Sequence, residues 1–281
     1  MGEWAAYFRV FLTFARNSLV RDMTFRANFL IDSITSMAWM LLNLAFYLLV
    51  FRYTASIGKN TGWEEYPFFV FFATSLVINS VVQAFFMTNA DELTDLIRTG
   101  GLDFILLKPI DAQFLVSLRR VEWSSLSNLV VGLAVLGYAL VRMAYVPGPV
   151  QVVLYVVYVT CGVAIYYSLM IALASATVWM GRNLTLYDFW FYIITFSRYP
   201  MEIYDGPVGS LGWSLGTFFT FIIPVLVVVN VPARILVRPL RPAALHEWFL
   251  PAYALLATAA CLVFSRWVFQ RAMDSYRSAS S

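Results

Sequence analysis

Few side chains in this 281-residue chain could carry covalent chemistry. His246 is the single histidine, so a histidine metal cluster has no ligands to draw on, and any Ser–His pair must use that one position. Gly209-Ser210-Leu211-Gly212 places a serine among small residues but lacks the G-x-S-x-G setting of a nucleophile loop. Tyr187–Asp188 would suit an aspartyl site only with a second matching span aspartate, which is missing. Asp32, near the inner end of an apolar run, reads as an interfacial or helix-pairing carboxylate. There is no G-x-x-x-x-G-K-S/T loop; the one Gly–Lys pair, Gly58–Lys59, falls in a polar turn, so nucleotide phosphates are not cradled by that route. Cys161 and Cys261 lie inside apolar runs and read as buried thiols. No catalytic residue, metal site or cofactor of the chain's own is expected.

The polar residues that remain fall into patterns. Ser75, Asn79 and Gln83 recur every four residues inside an apolar run and share one helical face. Polar groups in hydrocarbon must find partners, so that face meets another helix or lines a pathway. Asp91, Glu92 and Asp95 open a short charged stretch, where carboxylates suit the positive end of a helix. Arg98 sits in its last turn and Gly100–Gly101 ends it. Leu102-Asp103-Phe104-Ile105-Leu106-Leu107 then forms a compact apolar patch before Lys108-Pro109. A short helix with apolar and charged faces is suited either to dock into a soluble partner or to lie at the interface.

The elements that must position these residues are set by composition. The chain is 61% hydrophobic, 17% aromatic and 12% charged, with mean hydropathy +0.74. A soluble domain carries about 25% charged residues, so the sequence specifies an integral membrane protein. A net charge of +3 is too small to suggest nucleic acid. Residues 4–25 form an amphipathic helix, because Arg9, Thr13, Arg16 and Asn17 make one stripe against aromatic bulk. Spans are expected at 27–51, 67–87, 123–141, 150–180, 184–200 and 248–269, each near the length needed to cross hydrocarbon. Residues 88–122 form the longest soluble loop. Residues 201–235, interrupted by prolines, form a re-entrant hairpin, since irregular backbone at membrane depth is tolerated only against protein or water. With six crossings and both termini inside, twelve of the 19 basic residues fall on the inner side, including Arg16, Lys108, Arg182 and Arg271, and seven outside.

The run Leu96-Ile97-Arg98-Thr99-Gly100-Gly101-Leu102-Asp103-Phe104-Ile105-Leu106-Leu107-Lys108-Pro109-Ile110 resembles the signature of a branch of bacterial type-2 ABC transporter permeases, an Arg-x-Gly-x-Leu-Asp core after the second span. Ser197-Arg198-Tyr199-Pro200-Met201-Glu202-Ile203-Tyr204, Phe221-Ile222-Ile223-Pro224, Val231-Pro232-Ala233 and the tail Tyr276-Arg277-Ser278-Ala279-Ser280 fit the same branch in order. The resemblance covers essentially the whole chain. It implies an all-α permease in the bacterial inner membrane with six spans, an amphipathic N-terminal helix, a cytoplasmic coupling helix and a re-entrant outer gate. Asp91, Glu92, Asp95, Arg98, Gly100, Gly101, Leu102 and Asp103 match the coupling element, which in such transporters seats in a separate ATPase that binds the ATP and magnesium. Arg198, Pro200, Glu202, Pro224 and Pro232 match the gate, and a second permease, identical or similar, completes the assembly. One departure is Gly101, a second glycine where a charged or polar residue is common, which would loosen the turn.

The expectation is therefore an ATP-driven permease, exporting a small amphipathic molecule or drug, with Ser75, Asn79 and Gln83 as possible pathway residues. Two other readings use the same sequence. One is a non-transport scaffold that anchors a cytoplasmic partner through 88–122. The other is an ion-coupled carrier, disfavoured by the lack of a chain of intramembrane ionisable residues and of visible inverted repeats.

Overall fold

The computed structural model describes residues 3–58, 61–180, 185–205, 214–238 and 245–276. The Gly181-Arg182-Asn183 and Gly209–Gly212 segments, Lys59, Arg277 onward and the side chains of Tyr187, Asp188 and His246 lie outside the described residues. Every element among the described residues is helical. They are α1 (Glu3–Thr24), α2 (Arg26–Tyr53), α3 (Glu65–Thr99), α4 (Asp103–Leu106), α5 (Ala112–Leu118), α6 (Leu126–Arg142), α7 (Pro149–Met180), α8 (Thr185–Thr195), α9 (Leu215–Ile222), α10 (Val225–Val237) and α11 (Phe249–Ser275). Five of these, α2, α3, α6 with its Trp123–Ser125 lead-in, α7 and α11, are long and apolar enough to cross a membrane.

The stripe expected to be polar on α1 is exposed: Arg9, Thr13, Arg16 and Asn17 all face outward. Tyr7, Phe11, Phe14 and Ser18, at the complementary spacing, are partly or fully buried. Phe25 breaks the helix and turns the chain into α2. That span is barely enclosed. Only Ser33 and Tyr47 are buried along its 28 residues, so its apolar side chains meet lipid or another chain. The core forms instead around α3, where Phe68, Phe69, Val70, Phe71, Ala73 and Ile78 are 0–1% exposed. Helices α6, α7 and α10 pack on α3, and α11 packs along α7.

The structure differs from the expected span map in three places. The second span does not stop at Met87. A wide π-turn at Gln83–Met87 carries the helix on to Thr99, giving 35 continuous residues. The charged segment from Asp91 thus continues the same helix, held by an apolar face that is buried at Ala90 and Leu93. At the expected fifth span, α8 is 11 residues long and gives way to a tight turn at Phe196–Arg198 before Pro200. The length that could cross lies instead in α9 and α10 taken together, which meet at 88°. Pro224, at the bend, has no N–H to continue the ladder. The sequence also places a stop at Pro232, yet α10 runs through it to Val237. Residues Val225–Ala233 are buried on every side there, and packing outweighs the lost hydrogen bond.

One close approach holds the core together. A Cβ on Gly162 of α7 would lie 2.9 Å from the Val228 carbonyl oxygen and 3.0 Å from its side chain. Small residues let helix backbones meet in this way within membranes. Gly137 on α6 has nothing within 4 Å of the same position. Gly162→Ala should therefore force α7 from α10 and lower stability by about 1–3 kcal/mol. Gly137→Ala should be neutral or stabilising, because alanine is the better helix former by about 1 kcal/mol. Thermal unfolding in detergent reads the contrast; equal midpoints for the two variants would remove the close-packing account.

Candidate functional site

The end of α3 and the returning chain form one polar framework. Within the π-turn the regular ladder is loosened, and the Ala84 carbonyl accepts from the Glu122 amide at 2.8 Å. One turn on, Asn89 is buried and pairs with the backbone of the returning chain on both edges. Its Nδ2 donates to the Arg120 carbonyl at 2.8 Å, and its Oδ1 accepts from the Arg120 amide at 2.9 Å. Arg120 extends back over α3 to form an ion pair with Glu92. Thr88 donates to the Glu122 carboxylate at 2.8 Å. The N-terminal helix joins the same frame: Ser18 accepts from the Val121 amide at 3.1 Å and the Trp123 indole donates to the Ala15 carbonyl at 3.2 Å.

At the tip, Gly100 takes the left-handed conformation, φ +76°, that ends a helix. The Leu102 amide then reaches back to the Leu96 carbonyl at 3.2 Å, folding the chain against the end of the helix. A Cβ on Gly101 would sit 2.8 Å from the Leu96 side chain, and Leu102 is fully buried. Asp103 begins α4, beside the Tyr276 phenol at the end of α11. Phe104 is 74% and Leu107 82% exposed, so the patch read from the sequence divides into buried anchors, Leu102 and Ile105, and an outward apolar prong. Asp91 is exposed, and Asp95 and Arg98 form an exposed i, i+3 pair at 2.9 Å.

A second network, built on residues that sequence reasoning passed over, ties this end to the last span. Arg266 of α11 grips Asp111 with two bonds, Nη2 to Oδ2 at 2.6 Å and Nη1 to Oδ1 at 3.1 Å. The same Nη1 donates to Gln113 Oε1 at 2.9 Å. Gln113 Nε2 donates to the Tyr167 hydroxyl of α7 at 2.9 Å, and Ser117 also bonds that hydroxyl at 2.8 Å. Asp111 caps α5 by accepting from the Phe114 amide at 2.9 Å. Burial pushes the Asp111 carboxyl up, but the bonds from Arg266 and Phe114 outweigh it and hold it below the ordinary carboxylate value. A lone arginine within an apolar C-terminal run was the available signal.

The expected gate residues gather at the other end of α3. Glu202 accepts from Arg234 Nη2 of α10 at 2.7 Å and from the Trp63 indole at 3.0 Å. Trp63 lies two residues before α3 and is 2% exposed. Asn230, fully buried in α10, accepts from the Met201 amide at 3.1 Å and donates to the Leu226 carbonyl at 2.7 Å. Pro200 and Pro224 are buried beside this clamp and Pro232 is buried in α10, while Arg198 is exposed. Phe196 stacks on Phe219 of α9 at 4.0 Å, so the turn after α8 leans on both arms of the bent pair. The stripe Ser75–Asn79–Gln83 closes partly on itself: Asn79 donates to the Ser75 carbonyl at 2.8 Å and hydroxyl at 3.2 Å. Gln83 opens the π-turn. Among the described residues no group of three His, Cys, Asp or Glu side chains is placed to hold a metal ion.

A family model described as ABC-2 family transporter protein matches residues 37–280. No curated protein and no solved structure matches the chain.

The Asp111 carboxylate is charged and paired in the folded protein at a pH where the unfolded chain would already be binding a proton. Its contribution is thus present at neutral pH and lost as pH falls through the folded value. Both partners are partly exposed, with side chains 33% and 43% accessible, so the pair contributes about 1 kcal/mol. Asp111→Asn should lower the unfolding midpoint at neutral pH, and the gap from the native chain should close as pH drops below about 4, the ordinary carboxylate value. A gap that stays constant across that window would show that the ion pair is not its source.

Proposed function

The chain belongs to the ABC-2 transporter family, and we propose that it is the permease of an exporter for small amphipathic molecules or drugs, driven through α3 by a separate ATPase. The family is a transporter permease component and is not itself catalytic; such permeases work with an ATPase. With five or six helices able to cross, the chain is a multi-pass membrane protein. The proposal adds the substrate class, the direction of export, a second permease subunit, a bacterial inner membrane and both termini on the cytoplasmic side.

The observation that carries the reading is the single helix α3. At 1.5 Å per residue, its 35 residues reach about 50 Å. One end carries Asp91, Asp95, Arg98 and the apolar prong at Phe104 and Leu107; the other abuts Trp63, which holds Glu202 at the expected gate. A push at the tip is therefore delivered along hydrogen-bonded backbone to the contact that restrains the bent pair α9–α10. In this reading Glu92–Arg120 and the Asn89 pairing fix the returning chain to the rod, so the tip moves as one body with the start of α6. Gly100 and Leu102 set the angle of the prong. The side chains of α2, unenclosed within the chain, meet the second permease or lipid. Apolar and aromatic walls suit an amphipathic cargo better than an ion, and no chain of ionisable residues runs along the described spans.

Two large exposed apolar side chains on a rigid tip are the usual anchors of a protein interface. Phe104→Ser with Leu107→Ser should reduce co-purification with the ATPase by about tenfold or more, with membrane insertion intact. The triple change Asp95→Ala, Arg98→Ala and Asp103→Ala should weaken it as well. Undiminished association in both variants would remove the docking assignment. For orientation, a cysteine at Asn60 should react with an impermeant reagent from outside and one at Thr99 should not; the reverse pattern overturns the topology.

A further inference from the structure

The turn between α6 and α7, at the same end of the fold as the Glu202–Arg234 clamp, is built around one side chain that sequence reasoning passed over. Helix α6 ends at Arg142, and Ala144 takes the left-handed conformation, φ +50°. The Tyr145 amide donates to the Leu140 carbonyl at 3.3 Å and the Ala144 amide to the Val141 carbonyl at 3.1 Å, the paired closure of a Schellman turn. Pro147 and Pro149 then fix two backbone angles, and Pro149 starts α7, where its missing N–H breaks no bond. Gln151 lies in the first turn of α7 and is 6% exposed. Its Oε1 accepts from the Gly148 amide at 2.8 Å and from the Tyr145 hydroxyl at 2.9 Å.

The other edge of the same amide faces α10. Nε2 donates to the Ile235 carbonyl at 3.1 Å and to the Arg238 carbonyl at 3.0 Å. The need for these donors is written in the sequence. Arg238 precedes Pro239, a setting that disfavours helical backbone, and Arg238 is extended, ψ 139°. In a continuing helix the Ile235 carbonyl would take the amide of residue 239, but a proline has none to give. Gln151 supplies that donor from another helix. All four hydrogen-bonding positions of its amide are used, and the partners fix which end is nitrogen. Arg234 lies in the turn so held. Its carbonyl accepts from the Arg238 amide at 2.9 Å, and its Nη2 donates to Glu202 at 2.7 Å. Arg234 Nε is buried without a hydrogen-bond partner, so the guanidinium is not gripped at its base and its reach to Glu202 depends on where this turn of α10 lies. A Cβ on Gly62, the residue before Trp63, would lie 4.0 Å from the Arg238 guanidinium, which brings the same turn to the third member of the clamp.

We propose that Gln151 is the positioning residue of this clamp: by supplying the bonds that Pro239 withholds, it fixes the last turn of α10 on α7 and so places Arg234 against Glu202. Only an amide serves both edges. A carboxylate keeps the two acceptor bonds toward Tyr145 and Gly148 but turns lone pairs on the carbonyls of Ile235 and Arg238. A thioether loses both edges. The close approach of Gly162 to Val228 holds α10 to α7 two turns further along the helix, so Gln151 governs the end of α10 rather than its docking as a whole. The part this plays in transport rests on the reading of the clamp as a gate; the hold on Arg234 does not.

The test uses the purified full chain in detergent, without an ATPase, and reads amide hydrogen exchange by mass spectrometry. Gln151→Glu should speed exchange in residues 231–238 about tenfold over the native chain, the loss expected when one or two hydrogen bonds are removed. Tyr145→Phe, which takes a bond from the acceptor edge alone, should leave that segment at the native rate. A rise confined to residues 144–151, or spread equally over all helices, overturns the proposal. The link to the clamp is read by a double-mutant cycle of thermal midpoints. Gln151→Glu and Glu202→Gln together should lower the midpoint by clearly less than the sum of their separate effects, because the first already loosens what the second removes. Additive shifts would show that Gln151 does not act through Arg234 and would overturn the proposal too. Should Gln151→Glu fail to insert, Gln151→Met, which adds no charge, should speed the same segment where Tyr145→Phe does not. Lost ATPase docking or a reversed topology would sink the transport reading and leave each of these outcomes in force.

Discussion

The rest of the structure depends on the unbroken backbone ladder of α3. A membrane span ends easily where its apolar residues end, because water can satisfy the freed carbonyls. Here the ladder continues, and its weakest place is supported from outside. The π-turn at Gln83–Met87 loosens the helix, and the returning chain supplies the Glu122 amide to Ala84 and a two-edged pairing to Asn89. Each is a hydrogen bond in a partly buried setting, where leaving a group unpaired costs about 1–3 kcal/mol. These bonds fasten the chain that returns to α6 along the side of α3.

Much of this was legible from residue types. Membrane class followed from 12% charge, and the described residues hold five helices long and apolar enough to cross a membrane. The α1 stripe at Arg9, Thr13, Arg16 and Asn17 faces outward as its spacing requires. What was not legible has a common physical cause. Residues Thr88–Thr99 are polar in mean composition, so a hydropathy pattern ends the span at Met87. The helix persists because Leu93 is fully buried and Ala90 nearly so, a fact of tertiary packing. Pro232 misleads in the same way: a proline ends a helix in isolation, but α10 is enclosed on all sides and its neighbours hold the geometry.

The polar contacts divide between legible and hidden for a further reason. Asp95 with Arg98 is a local pair visible in spacing alone. Asp111 with Arg266 and Glu202 with Arg234 join residues 155 and 32 positions apart, and nothing in periodicity marks them. Each is instead signalled by burden: Arg234 and Asn230 sit in an apolar helix, where a polar group persists only with a partner. Reading such residues as half of an unknown pair would have found both networks without naming the other half.

The two networks differ in what they can do. Asp111 and Arg266 are partly wet, and Asp111 also caps a helix and Arg266 also bonds Gln113, so several contacts must fail together for that joint to open. The Glu202 carboxylate is more enclosed, with side chains 21% and 25% accessible for it and Arg234. Removing two charges from water offsets most of their attraction, so an enclosed pair of this kind adds little net stability while still fixing geometry. Separating the two in place would leave an enclosed charge without its partner, which costs about 3–5 kcal/mol. The first joint ties the chain after α4 to the last span at the tip end of α3, and the second ties the turn after α8 to α10 at the opposite end.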